Sequence, residues 1–149
     1  MLLMETRIGE TLRKTKLLFD SVVWFESITT GLKSKIINEW IQDDQLFKKG
    51  VDSDDDVIGF YSFTTSLINP TKTFNSHFTL KDTGAFYRSM FVRVLKDSII
   101  IGGDPGEMDD QIWYNEDKIL NLNEENLAKF IAEIKVNYIK SIRKILAID

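Results

Sequence analysis

Hydrophobic residues recur at helical spacing through the first third of the chain. Between residues 6 and 23 they fall at Ile8, Leu12, Phe19, Val22 and Val23, with Lys and Arg among them, and a second series runs through Val22, Phe25, Ile28, Leu32, Ile36, Trp40 and Ile41. Steps of three, four and seven keep such residues on one helical face. The pattern therefore predicts helix over residues 6–43, continuous or interrupted at Asp20-Ser21 or Thr30-Gly31. From 44 to 78 the periodicity disappears. The stretch "GVDSDDDVIGFYSFTTSLINPTKTFNSH" contains Gly50, an Asp run, Gly59 and Asn69-Pro70, which predicts a long structured loop with a short helical turn near Thr64 to Leu67. Loops of this length in a compact domain carry function or take up order on a partner.

Further along, "MFVRVLKDSIIIGG" holds two apolar, β-branched runs around Lys96-Asp97. They predict an antiparallel hairpin, residues 90–95 against 98–102, without the Asn-Gly or Asp-Gly turn that would pin its register. The last periodic segment is the plainest. Asn123 is a good N-cap, Glu124 and Glu125 sit where the helix dipole favours anions, and Lys140, Arg143 and Lys144 sit where it favours cations. Leu127, Phe130, Ile131, Ile134, Tyr138, Ile142 and Ile145 mark the apolar face of a helix over 123–147, expected to pack against the N-terminal helix. The fold class that follows is α+β, one domain spanning 1–149. Long N- and C-terminal helices enclose a small antiparallel hairpin, a long loop, and an Asp-Thr-Gly corner with a short helix within 79–103.

The chain's 149 residues, 43% of them apolar, suffice for one core. Net charge is −4, and the acid excess sits in the middle, with 10 Asp/Glu against 5 Lys/Arg between residues 50 and 110. That distribution argues against a phosphate-binding groove and against sequence-specific nucleic-acid binding, whose affinity comes from clustered Lys and Arg. Zero cysteines exclude disulfides, Cys-ligated zinc and a thiol nucleophile. The opening "MLLMETRIGE" lacks the basic and apolar regions of a secretory signal, and no apolar run approaches a membrane span, so synthesis in a cytoplasm with no membrane partner is expected.

Asp82-Thr83-Gly84 is the tripeptide of aspartic proteases, which would require a dimer with two Asp82 carboxylates sharing a proton. Lys81 stands where an apolar residue is wanted. Only about 20 residues separate Asp82 from "IIIGG", too few for a flap and its strands. The expectation is instead that Asp82 N-caps a short helix anchored by Phe86 and Met90, with Gly84 allowing an unusual dihedral or a close approach. A small dimeric hydrolase using Asp82 remains the alternative function. Asp52, Asp54 and Asp56 copy the first half of an EF-hand loop, but Val57 replaces its glycine and Phe63 its closing glutamate. They are the candidate ligands of a cation-dependent binding module; otherwise they form a solvated acidic turn. His77 is the only histidine and is read as structural. "GGDPG" is read as a turn, and Trp24, Trp40 and Trp113 as core or interface residues. No cofactor is expected.

Two groups of residues carry a resemblance. Gly50, Asp52, Ile58, Gly59, Tyr61, Ser62 and Thr64 form the first; Leu80, Asp82, Thr83, Gly84, Phe86, Ser89 and Met90, followed by a hairpin and a helix, form the second. Over residues 46–104, with weaker agreement in "DKILNLNEENL", the chain resembles the tail-completion, or virion-morphogenesis, proteins of tailed bacteriophages, as in crAss-like phages. It departs from them at Asp55 or Asp56, where glycine is common, and at Leu67, Ile68 and Asn69, where lysines are. The resemblance implies a structural, non-enzymatic virion protein that forms a homo-oligomeric ring at the head–tail neck or tail top, beside portal, neck or tail proteins. The loop through Gly50, Asp52, Gly59, Tyr61, Ser62 and Thr64 and the C-terminal helix are then the expected contact elements.

Overall fold

The computed structural model describes residues 27–96, 98–107 and 116–147. The expected helix before residue 27, its possible break at Asp20-Ser21, and Trp24 and Trp113 lie outside these residues. Helix α1, Thr30–Ser34, starts where Thr29 accepts a hydrogen bond from the Leu32 N–H, and it runs directly into a π-helix, Lys35–Lys49. The helix therefore continues past residue 43 and takes the first six residues of the expected loop. Winding by i→i+5 hydrogen bonds is uncommon beyond a single turn, and the side chains here follow the same step. Ile36, Ile41 and Leu46 are each at most 1% exposed, while Asp43 pairs with Lys48 at 2.6 Å and Asp44 with Lys49 at 2.9 Å. Gly50 ends the helix in the left-handed conformation at φ 64°, donating its N–H to the Gln45 carbonyl. A side chain there would be strained by that φ and would meet the His77 ring.

After Gly50, single bridges pair Val51 with Val57 and Phe60 with His77. Helix α2, Phe63–Ile68, lies between Phe60 and His77 and is capped by the Ser62 hydroxyl. Helix α3, Ala85–Ser89, leads into strand β1, Phe91–Val94, which pairs antiparallel with β2, Ile99–Gly102, in the register Val94↔Ile99 and Phe91↔Gly102. This is the expected hairpin. A short 3-10 turn, Pro105–Glu107, is followed by α4, Glu116–Ile119, and α5, Glu124–Leu146. Asn123 caps α5 as its sequence predicts, accepting from the Asn126 N–H.

Mixed helix and sheet thus stands as the fold class. The core joins Leu32, Ile36, Trp40, Ile41 and Leu46 to Leu80, Phe86 and Met90 of the corner, Ile119 and Leu120 of the α4 region, and Ile134 of α5. Helix α5 does lie along the π-helix, as Lys35–Glu133 at 2.5 Å and Asn126 Nδ2 on the Trp40 carbonyl at 3.2 Å show. Among the described residues no helix is long and apolar enough to cross a membrane.

Candidate functional site: a braced apolar helix

Both groups of residues singled out in the sequence converge on one region. Tyr61 is buried, and its ring meets Phe78 edge-on at a 4.8 Å centroid distance while the Lys72 ammonium sits 5.4 Å from its centroid. Its hydroxyl accepts from the Thr79 N–H at 3.2 Å and lies 3.2 Å from the Thr79 hydroxyl. Its backbone joins the far side of the loop twice, Tyr61 N–H to the Ser76 carbonyl at 2.9 Å and Asn75 N–H to the Tyr61 carbonyl at 3.0 Å. The Gly59 carbonyl accepts from the Phe78 N–H at 2.8 Å, and His77 Nε2 donates to the Phe47 carbonyl at 2.9 Å. Ser62 Oγ accepts from the Thr65 N–H at 3.1 Å. These residues close the loop on itself and fasten it to the end of the π-helix.

Asp82 does not cap a helix. The residue preceding α3 is Gly84, in the left-handed conformation at φ 77°, with no side-chain cap of the kind expected from Asp82. Instead Thr83 Oγ1 accepts from the Ala85 N–H at 3.2 Å, and Gly84 lends its carbonyl to the Arg88 N–H at 3.0 Å. A positive φ beside the helix start turns the Asp82 side chain away from the first turn, and glycine tolerates that φ where other residues do not. The Asp82 carboxylate reaches back to the loop, 3.2 Å from Lys72 Nζ and 3.3 Å from Asn69 Nδ2. Asp82 Oδ1 therefore faces an ammonium and an amide N–H. Changing Asp82 to Asn is expected to cost about 1–3 kcal/mol, because the carboxylate is half-exposed but the Lys72 ammonium that loses its charged partner is buried. Chemical denaturation checks this, and a loss above about 3 kcal/mol would show that the pair holds far more than the turn.

The remaining corner residues brace neighbouring elements. Leu80 is buried at φ 54°, a conformation costly for a branched residue that its burial holds in place. Phe86 and Met90 enter the core as expected. Ser89 Oγ donates to the Phe86 carbonyl at 2.7 Å and accepts from the Asp104 N–H at 2.8 Å, which ties α3 to the turn after β2.

The Asp run is a clamp. Asp52 is fully buried, and its Oδ1 accepts from the Asp54 and Asp56 N–H groups at 2.8 and 3.0 Å. Asp54 pairs with Lys118 at 2.6 Å, and Asp55 Oδ1 accepts from Asn123 Nδ2 at 2.6 Å. One carboxylate oxygen from each of Asp52, Asp54 and Asp56 lies within 4.8 Å of the others. The solvated acidic turn is corrected on one point, since Asp52 is interior and accepts from backbone N–H groups. The hydrogen bond to Asp54, and then its charge, hold Lys118 above the ordinary lysine pKa.

A second network, absent from the sequence reading, locks the π-helix to α5. Gln45 is fully buried; its Oε1 accepts from the Asn123 N–H at 2.9 Å and from Asn126 Nδ2 at 3.2 Å, and its Nε2 donates to the Asn121 carbonyl at 3.0 Å. Outside it, Lys49 bridges Asp44 and Glu125, each at 2.9 Å, and Lys129 reaches Glu125 at 2.7 Å. Burial alone would raise Asp44, but hydrogen bonds from Lys49 and Asn126, with the charges of Lys49 and Lys129, bring it below the usual range. Hydrogen bonds from Lys129 and Lys49, followed by their charges, push Glu125 down to about 2. A depressed carboxyl pKa means stability present above the unfolded value and lost as pH falls through the folded one. Glu125→Gln should therefore melt below the wild type at neutral pH, the gap narrowing from about pH 4.5 and closing near pH 2 in melting curves taken across that range.

What this scaffold presents to solvent is apolar. Helix α2 has no buried residue. Phe63, Leu67 and Ile68 are 61, 68 and 80% exposed, with Phe60 and Phe74 beside them in the same loop at 56 and 57%. Phe63 and Phe74 pack edge-on with centroids 6.0 Å apart, and Leu67, four residues after Phe63, shares its helix face. Of the loop residues expected to make contact, Gly50, Asp52 and Tyr61 are buried and brace the loop, Gly59 is half-buried, and Ser62 and Thr64, at the cap and first turn of α2, are exposed. The sequence predicts this stretch as a loop with a short helical turn, and Phe60, Phe63 and Phe74 are not among the residues it points to as contacts. The signal for them is a short helical segment, FTTSLI, whose Phe63 and Leu67 share one face with Ile68 beside it.

Comparisons with protein-family models, with curated proteins and with solved structures find no match to this chain.

Proposed function

We propose that the protein is a structural virion subunit of a tailed bacteriophage, a ring-forming member of the head–tail neck or tail-completion ring. It acts through contacts with copies of itself and with portal, neck or tail proteins, not through catalysis. The observation that carries this reading is α2, a short helix with no buried residue whose Phe63, Leu67 and Ile68 are exposed on a polar scaffold. Exposed apolar surface of more than a few hundred Å² is uncommon on a monomer and marks a binding surface. The resemblance over residues 46–104 supports the virion setting, and its residues are the ones that hold α2 in place. Electron microscopy and protein mass analysis of purified particles test the reading. The chain is expected in particles, in a copy number fixed by ring symmetry; particles that lack it overturn the proposal.

A further inference from the structure

We propose that the α2 knob seats in a groove of a second copy of this chain, between β2 and the start of α5, so that subunits join head to tail. This rests on the ring reading and names its contact. The groove, about 590 Å³, is lined by Ile36, Ile99, Ile101, Leu120 and Phe130 inside, with Ile100 and Leu127 at its mouth, 42 and 44% exposed. Its volume is that of clefts that bury a sizeable apolar ligand. None of residues 57–78 lines it, so knob and groove are separate surfaces of one subunit.

Area and charge both favour this occupant. Phe63 and Phe74 in edge contact, with Leu67 on the same helix face and Ile68 beside it, offer roughly 400–500 Å² of exposed surface, given the 150–250 Å² that an aromatic side chain can bury. About half of the ~800 Å² that each partner of a stable complex contributes is thus on one knob. Residues 57–71 contain no charged side chain, and among the described residues Asp117 is the one charged group lining the groove, so closing the contact desolvates little charge. The braces of Ser62, Tyr61, Asn69 and Lys72 already fix the knob's shape, which keeps the ordering cost of association low. A contact between two different surfaces is heterologous, and it repeats until the rotation closes a ring.

Complementation between two variants tests this. Leu67→Asp disables the knob and Ile100→Asp the groove, both at exposed positions, and circular dichroism should show each folded. Each alone is expected to weaken self-association by about 100-fold or more, since a carboxylate buried without a partner costs several kcal/mol. Mixed one to one, they are expected to form a dimer and nothing larger, because the intact knob of one meets the intact groove of the other and no further site remains. The absence of cysteine permits a second readout. Leu67→Cys combined with Leu127→Cys should oxidise to a ladder of linked subunits, and the single variants to dimers at most. If the wild type assembles and Leu67→Asp assembles equally well, or the mixture stays monomeric and the double-cysteine variant gives no ladder, the knob-in-groove contact is wrong while the ring reading stands. A monomeric wild type at every concentration overturns both.

Discussion

Gln45→Leu is expected to destabilise the protein by about 2–4 kcal/mol, although leucine is more hydrophobic and similar in size. The side chain is fully buried and serves groups on the far side of the fold, accepting from the Asn123 N–H and from Asn126 Nδ2 and donating to the Asn121 carbonyl. Leucine leaves the N–H and the carbonyl without these partners, at about 1–3 kcal/mol each. For a chain of this length the melting temperature should fall by about 5–15 °C. Asn126→Leu should cost a similar amount, because its amide also holds the Trp40 carbonyl and Asp44. The double variant should lose less than the sum of the two, since the residues serve one network. Chemical denaturation of the three variants decides; additive losses, or a loss under about 0.5 kcal/mol for Gln45→Leu, contradict the lock between π-helix and α5.

Phe86→Ala is expected to cost about 3–5 kcal/mol, the range for emptying a large aromatic site in a core that relaxes only partly. Phe86 is 1% exposed among the core residues Trp40, Leu80, Met90 and Leu120. Set beside the smaller loss of about 1–3 kcal/mol expected for Asp82→Asn, the contrast separates the two roles at the Asp-Thr-Gly corner. Its stability lies in the apolar anchor, and its carboxylate tethers the turn that carries α2. A larger loss for Asp82→Asn than for Phe86→Ala contradicts this division. Because Phe86 is far less exposed than Leu67, its substitution should lower stability first, whereas Leu67→Asp should lower assembly at nearly unchanged stability.

The elements legible in the sequence are those whose evidence is local. Asn123, Glu124 and Glu125 announce the start of α5 within three residues, and Val92, Val94, Ile99 and Ile101 place the hairpin by composition alone. The π-helix was hidden because its first turns satisfy both periods. Leu32, Ile36 and Trp40 step by four, and only Ile36, Ile41 and Leu46 reveal a step of five. A buried glutamine carries no sequence signal at all, so Gln45 read as the polar start of a loop. At the corner, Asp before Thr-Gly is good capping chemistry, but the left-handed Gly84 redirects it. The knob's short helix is legible as the turn expected near Thr64 to Leu67, but only tertiary structure places Phe63 and Leu67 on the outside.

Assembly through an exposed apolar helix is the central claim, and native mass spectrometry of the purified wild-type chain tests it most directly. The expected result is one closed multiple of the subunit mass that persists on dilution and collapses to single subunits in Leu67→Asp. A wild-type spectrum containing only the subunit mass, at concentrations where ring subunits assemble, would contradict it.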